Sequence, residues 1–147
     1  MRPFARVENR SGAAASIAHQ ILNPPSLPAP RGFSHVVIAQ TGRTIYLSGQ
    51  TAQRPDGSVV EGTMAEQFDV AAANVVEALE AAGAAPTDLV CIQIFVTDIA
   101  EYRRLSKEIG EAYRRNFGRH YPAMALLEVR HLFDPAAKVE LLCTAVA

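Results

Sequence analysis

MAEQFDVAAANVVEALEAAG, Met64 to Gly83, and DLVCIQIFVTD, Asp88 to Asp98, follow one another across a short Ala-Ala-Pro-Thr link. In the first stretch Phe68, Ala72, Val75, Leu79 and Ala82 recur at helical spacing and make one apolar stripe. Thr63, with Glu66 three residues on, is a capping box that satisfies two amides at the helix start. Gly83 stands where a helix ends on a left-handed residue. The second stretch is apolar almost without a break, the pattern of a strand buried on both faces. A helix with one greasy side running into such a strand predicts an α+β domain.

Toward the C-terminus, Ile99 to Phe117 reads as a second amphipathic helix, with Tyr102, Leu105, Ile109 and Ala112 or Tyr113 on one stripe. After Tyr121-Pro122 come two strands, MALLEVRHL and KVELLCTAVA, joined by FDPAA. Toward the N-terminus, RPDG with Ser58 is a turn or loop, and FSHVVIA and RTIYLSG are short β-rich runs separated by QTG, a hairpin-like turn. The order is β-β-α-β-α-β-β, two helices of similar length on a sheet of at least five strands. That is a two-layer sandwich with helices on one face. Nothing else in the chain covers the other sheet face, so oligomerisation through the sheet is expected. The domain is placed at 32–147 and an N-terminal arm at 1–31. Within the arm, Ser11 to Gln20 is compatible with a short helix, and the proline-dense NPPSLPAPRG resists both helix and ladder. The arm is read as extended over the domain or a neighbouring subunit, or as a disordered leader over residues 1–20.

With 147 residues, 49% apolar and 20% charged, the chain has the size and make-up of one ordinary domain. A formal net charge of -1 gives no footprint for nucleic acid or an anionic membrane. Cys91 and Cys143 sit in apolar, strand-like runs without CxxC spacing, as small buried hydrophobes in a reducing compartment. No run reaches the roughly 20 apolar residues of a membrane span. The charged, proline-interrupted N-terminus does not read as a signal sequence, so the cytoplasm is expected. No phosphate loop, HExxH or Ser/His/Asp signature occurs. The chemistry is therefore expected to need no metal, no nucleotide cofactor and no covalent cysteine.

YLSGQTA at Tyr46–Ala52, EQFDVAAANVVEALEAAGA at Glu66–Ala84, DLVCIQIFVTD, YPAMALLEV at Tyr121–Val129 and the closing KVELLCTAVA together resemble the Rid family, also called YjgF. The match covers Gly32 to Ala147 with the motifs in the family's order. The resemblance implies a chorismate-mutase-like fold, a homotrimer with a central sheet-lined barrel, and clefts between subunits that bind small carboxylates. The best-known members hydrolyse enamines and imines, such as 2-aminoacrylate, to keto acids and ammonia. That activity rests on an arginine directly after the Pro-Ala of YPAMALLEV, whose planar fork holds a carboxylate bidentately. Here the position is Met124. A glutamate that positions water in deaminating members matches Leu142, and a tyrosine of the family's Gly-Pro-Tyr segment matches His35. The stretch from Asp98 to Tyr113 is also about one helical turn longer than in the archetype, so the family's usual asparagine has no clear counterpart near Gly110.

These departures leave a cleft of altered chemistry. Ser48, Gly49 and Gln50 keep the family's SGQ turn and are expected to offer amides to a ligand oxygen, while Met124, Leu126 and Leu142 line an apolar pocket. His35 is either a general base or donor in the cleft, or a packed or surface imidazole. Glu128 shares strand parity with Met124 and either binds an amine or acts in acid–base catalysis, or is a structural glutamate bonding backbone amides. Arg130 has the same parity but lies too far along to take the lost arginine's place. The arginines at 103, 104, 114, 115 and 119 read as a solvated helix face. The functional expectation is a homotrimer that binds a small metabolite between subunits and hydrolyses or tautomerises an imine, enamine or related carbonyl compound by an arginine-independent route. The alternative is a non-catalytic ligand-binding or chaperone-like trimer.

Overall fold

The capping box forms. In the computed structural model, which describes residues 18–147, the Glu66 amide donates to Thr63 Oγ1 at 3.2 Å and the Thr63 amide donates to the Glu66 carboxylate at 2.7 Å. Helix α1 spans Met64–Ala81, and Phe68, Ala72, Val75 and Leu79 of its stripe are buried. It ends at Gly83, whose φ of 71° is left-handed backbone that costs glycine nothing. A 3-10 turn at Pro86–Asp88 leads into a long strand, Leu89–Val96.

The expected second helix is kinked at Leu105 (φ −98°, ψ 15°), giving α2, Ile99–Arg104, and α3, Ser106–Phe117. Asp98 caps α2 by accepting the Glu101 amide at 2.9 Å. The ladder continues through the kink, since the Leu105 amide donates to Glu101 O and the Ile109 amide to Leu105 O, both at 2.9 Å.

Six strands form, in chain order β1 Gln20–Leu22, β2 Val36–Ile38, β3 Thr44–Tyr46, β4 Leu89–Val96, β5 Ala123–Glu128 and β6 Val139–Val146. The main sheet has four strands in the order β3-β6-β4-β5, antiparallel except for β4 with β5. A parallel pair needs a crossover, and α2–α3 supply it. Ile92, Ile94 and Val96 of β4 with Leu141, Cys143 and Ala145 of β6 are buried under the helices. The opposite face carries Tyr46, Gln93, Phe95, Leu127, Glu140 and Leu142, and no described element covers it.

Two expectations about the N-terminal third are corrected. The sheet is not one layer of at least five strands, because β2 pairs with β1 in a separate two-stranded ribbon. The runs on either side of QTG make no hairpin either. The partner of β3 is β6, with the Arg43 amide donating to Ala147 O at 2.7 Å and the reverse bond at 3.0 Å. Part of the arm, Gln20–Leu22, takes the free edge of β2 instead. His19 anchors it, its Nδ1 accepting the Gln40 amide at 3.2 Å. Of the helix considered for Ser11 to Gln20, residues 11–17 lie outside the described residues, Ala18 and His19 are not helical, and Gln20 is in β1. The strand expected in MALLEVRHL stops at Glu128.

Candidate functional site

Because β5 is the edge of the main sheet, the helices above it leave space at its start. There α2, α3 and β5 enclose a cavity of about 390 Å³. Met124 pairs in register with the buried Ile92, so its side chain faces the helices and forms part of the cavity wall. Ile94 and Ile109 add apolar wall, and Tyr102, Ser106, Tyr113 and Tyr121 add hydroxyl-bearing side chains. Gly32 and Gly110 leave room, and two guanidinium groups, Arg31 and Arg114, complete the lining. Among the described residues, no acidic side chain lines it.

The tyrosines are held firmly. Tyr113 donates its hydroxyl to His120 O at 2.6 Å and stacks on Tyr121 with ring centres 5.3 Å apart. Burial pushes the Tyr113 hydroxyl well above the ordinary tyrosine range, helped by neighbouring Tyr121, and burial likewise raises Tyr102. Both are therefore neutral donors at physiological pH. The Tyr102 hydroxyl has no hydrogen-bond partner among the described residues. Ser34, buried beside the cavity, donates its hydroxyl to Tyr121 O at 2.5 Å and its amide to Pro122 O at 3.0 Å. These bonds hold the segment carrying Arg31 and Gly32 against the start of β5.

Of the residues singled out from sequence, Met124 alone lines this cavity. Leu126 and Glu128 share its face of β5, paired with Ile94 and Val96. The Glu128 carboxylate accepts the Ile99 amide at 2.9 Å, at the start of α2. His35 precedes β2; its Nε2 donates to Pro28 O at 2.8 Å, its amide donates to Asn23 Oδ1 at 2.9 Å, and its ring packs edge-on against Phe33. Since a carbonyl only accepts, Nε2 carries the proton and Nδ1 is the unspent nitrogen. Leu142 pairs with Gln93 and points to the uncovered sheet face, away from Met124. The SGQ segment is not a turn but runs on beside β6, where the Gln50 amide is used on Leu141 O at 2.8 Å, whereas the Ser48 and Gly49 amides have no partner among the described residues. A Cβ at Gly49 would meet the Glu140 carboxylate, so a side chain there would have to push Glu140 aside.

Sequence reasoning missed both arginines of the cavity. Arg31 was counted with the arm, and Arg114 with a solvated face. Arg114 carried one local signal, Gly110 a turn earlier: a Cβ there would lie 3.4 Å from Arg114 Nη1, so the guanidinium folds back along the helix. Arg130 lies beyond β5 and lines a different cavity with Thr97, His131, Leu132, Asp134 and Lys138. Among the described residues no group of His, Cys, Asp and Glu is placed to hold a metal ion. No helix among them is long and apolar enough to cross a membrane.

A family model described as Endoribonuclease L-PSP matches residues 25–147. The 2-iminobutanoate/2-iminopropanoate deaminase of Bos taurus is 31% identical over 134 residues, spanning 90% of this chain and 93% of the bovine protein. The deaminase of the same name from Homo sapiens is 29% identical over the same share. Among solved structures, the Rid protein YyfB from Yersinia pestis superposes with a TM-score of 0.77 at 30% identity, covering 89% of this chain and all of that one. TdcF of E. coli with bound serine gives a TM-score of 0.61 at 26% identity, over 74% and 84% of the two chains.

Proposed function

The chain belongs to the Rid family, also called YjgF, and from that premise we propose that it is a homotrimer that binds a small metabolite between subunits and hydrolyses an imine or enamine. The observation that carries this reading is the position of Met124. At the family's arginine position stands an apolar side chain, and it walls a cavity of about 390 Å³, large enough for a small organic ligand. In the reaction, an enamine first takes a proton on carbon to become the imine. Water then adds across the C=N bond, and the carbinolamine loses ammonia to leave the carbonyl product. Each step moves protons, and the hydroxyls of Tyr102, Ser106 and Tyr121 are donors within the cavity wall. The route uses no arginine at position 124.

The remaining sequence-derived residues enter through a second copy. Met124 and Leu142 lie on opposite faces of one sheet, so a cleft containing both needs the outer face of a neighbour. That face would bring Leu142 and the unpartnered Ser48 and Gly49 amides, with Gln50 holding their segment beside β6. Leu126 would extend the apolar wall along β5. His35 would act through Nδ1, and Glu128 through the oxygen its bond to Ile99 leaves unused. No metal or cofactor is part of this reading, nor a nucleic acid: net charge is -1, and Arg115 on α3 is already paired with Asp69 at 3.0 Å. The cytoplasm is the proposed compartment, in keeping with the free Cys91 and Cys143.

The test generates imines of graded side-chain size in situ from amino acids and follows ammonia release. The wild-type chain should accelerate release most for imines with apolar side chains, and Met124→Trp, which fills the cavity, should abolish the acceleration. Release no faster than in buffer for every imine would leave a non-catalytic ligand-binding trimer.

A further inference from the structure

Resting on the proposed cleft, we infer that Arg31 and Arg114 form an anion clamp at the mouth of the Met124 cavity, so that its ligand is a small carboxylate with an uncharged, apolar body. Loss of the strand arginine would by itself leave a neutral pocket. This chain instead brings two guanidinium groups to the same cavity from elements distant in sequence, the segment before β2 and helix α3. Neither has an ion-pair or hydrogen-bond partner among the described residues, in contrast to Arg115 one position on, which is paired with Asp69. Among the described residues no acid lines the cavity to offset their field.

The geometry supports a clamp at the mouth rather than two stray surface cations. Arg114 is folded back over Gly110, its Nη1 3.4 Å from where a Cβ would stand. Arg31 is tied in by Ser34, three residues on, through its bonds to Tyr121 and Pro122. Both guanidinium side chains belong to exposed residues, so they stay hydrated until a ligand arrives, while Met124 is half-buried in the wall. An anionic edge at the mouth with an apolar body against Met124 satisfies both ends. A carboxylate suits the planar donor fork, and an apolar wall gives a free inorganic anion nothing to fill.

Benzoate and benzamide are nearly isosteric probes that differ in charge. Titrated into the full chain at low ionic strength, benzoate should bind at least about tenfold more tightly than benzamide, the order expected when a hydrogen bond gains a charge. Arg31→Gln and Arg114→Gln should each weaken benzoate while leaving benzamide unchanged, and added salt should shrink the preference. Arg104→Gln, an exposed cation outside the cavity, should leave the preference intact. Thermal midpoint and molar mass of each variant report whether its fold is retained. Equal binding of both probes, a preference that survives in the two cavity variants, or an equal loss in Arg104→Gln would overturn the clamp but not the cleft. Failure of the wild type to bind either probe would overturn both.

Discussion

Methionine at position 124 sets a flexible apolar side chain into the cavity wall at the start of β5, where the proposed reading expects no charged fork. The expected consequence is poor turnover of 2-aminoacrylate, whose body is too small to use the apolar wall. A coupled assay should find a rate on the order of a hundredfold or more below that of an arginine-containing homologue, and equal rates would contradict this. Met124→Ala should weaken an apolar-bodied ligand by roughly 1–3 kcal/mol, the worth of a lost apolar contact, as calorimetry would show. Position 49 provides a second test. Gly49→Ala would push a Cβ into the Glu140 carboxylate, the movable end of a half-exposed side chain, at a cost of about 0.5 kcal/mol in thermal unfolding. Removing the obstacle in the double variant with Glu140→Ala should recover most of that loss; no recovery would place the strain elsewhere. At this scale the inward facing of Met124 was legible, because its motif fixes its register, whereas Leu142, expected in the same pocket, lies on the opposite sheet face. Arg31 and Arg114 were not legible, because their meeting depends on how the segment before β2 and helix α3 pack, which no local pattern encodes.

Among the elements, α1 was the most legible, since its stripe, cap and terminal glycine agree. Thr63→Ala should cost about 1 kcal/mol in chemical denaturation. Its partner Glu66 has a carboxyl held below the ordinary glutamate range by the Thr63 amide and hydroxyl. A depressed folded-state value means the contribution is present above the unfolded value, near 4.5, and disappears as pH falls toward the folded one. The stability difference between wild type and Glu66→Gln should therefore shrink as pH drops below that value; a gap that widens would reverse the assignment. Glu128 separates a capping role from a catalytic one. If its bond to the Ile99 amide is its whole role, Glu128→Gln, which keeps a carbonyl acceptor, should retain both stability and activity, while Glu128→Ala lowers stability by about 1 kcal/mol. An acid–base role would show as lost activity in Glu128→Gln with stability unchanged. The kink at Leu105 and the ribbon of β1 with β2 were not legible. The apolar stripe continues through the kink, and three-residue strands are too short for alternation to register.

For the whole molecule, the decisive feature is the outer face of the main sheet. Tyr46 is 81% exposed there, and Leu127 and Leu142 are 42% and 39% exposed, on the side opposite the helices. Apolar side chains exposed together on one sheet face mark a surface suited to a partner. That one sheet face stays open was legible from the element count alone, because two helices can blanket only one face. Where a neighbouring copy would sit was not legible, since it depends on a second chain. Leu142→Asp, which sets a charge in that face, should dissociate the assembly and with it any activity that needs a neighbour's residues. The most direct measurement is the absolute molar mass of the wild-type chain by light scattering at micromolar concentrations. A mass of three chains, steady on dilution, is predicted, with Met124 of one copy facing Leu142 of the next across the cleft. A mass of one chain would contradict the account, because the residues assigned to the site would then remain on opposite sides of a single sheet.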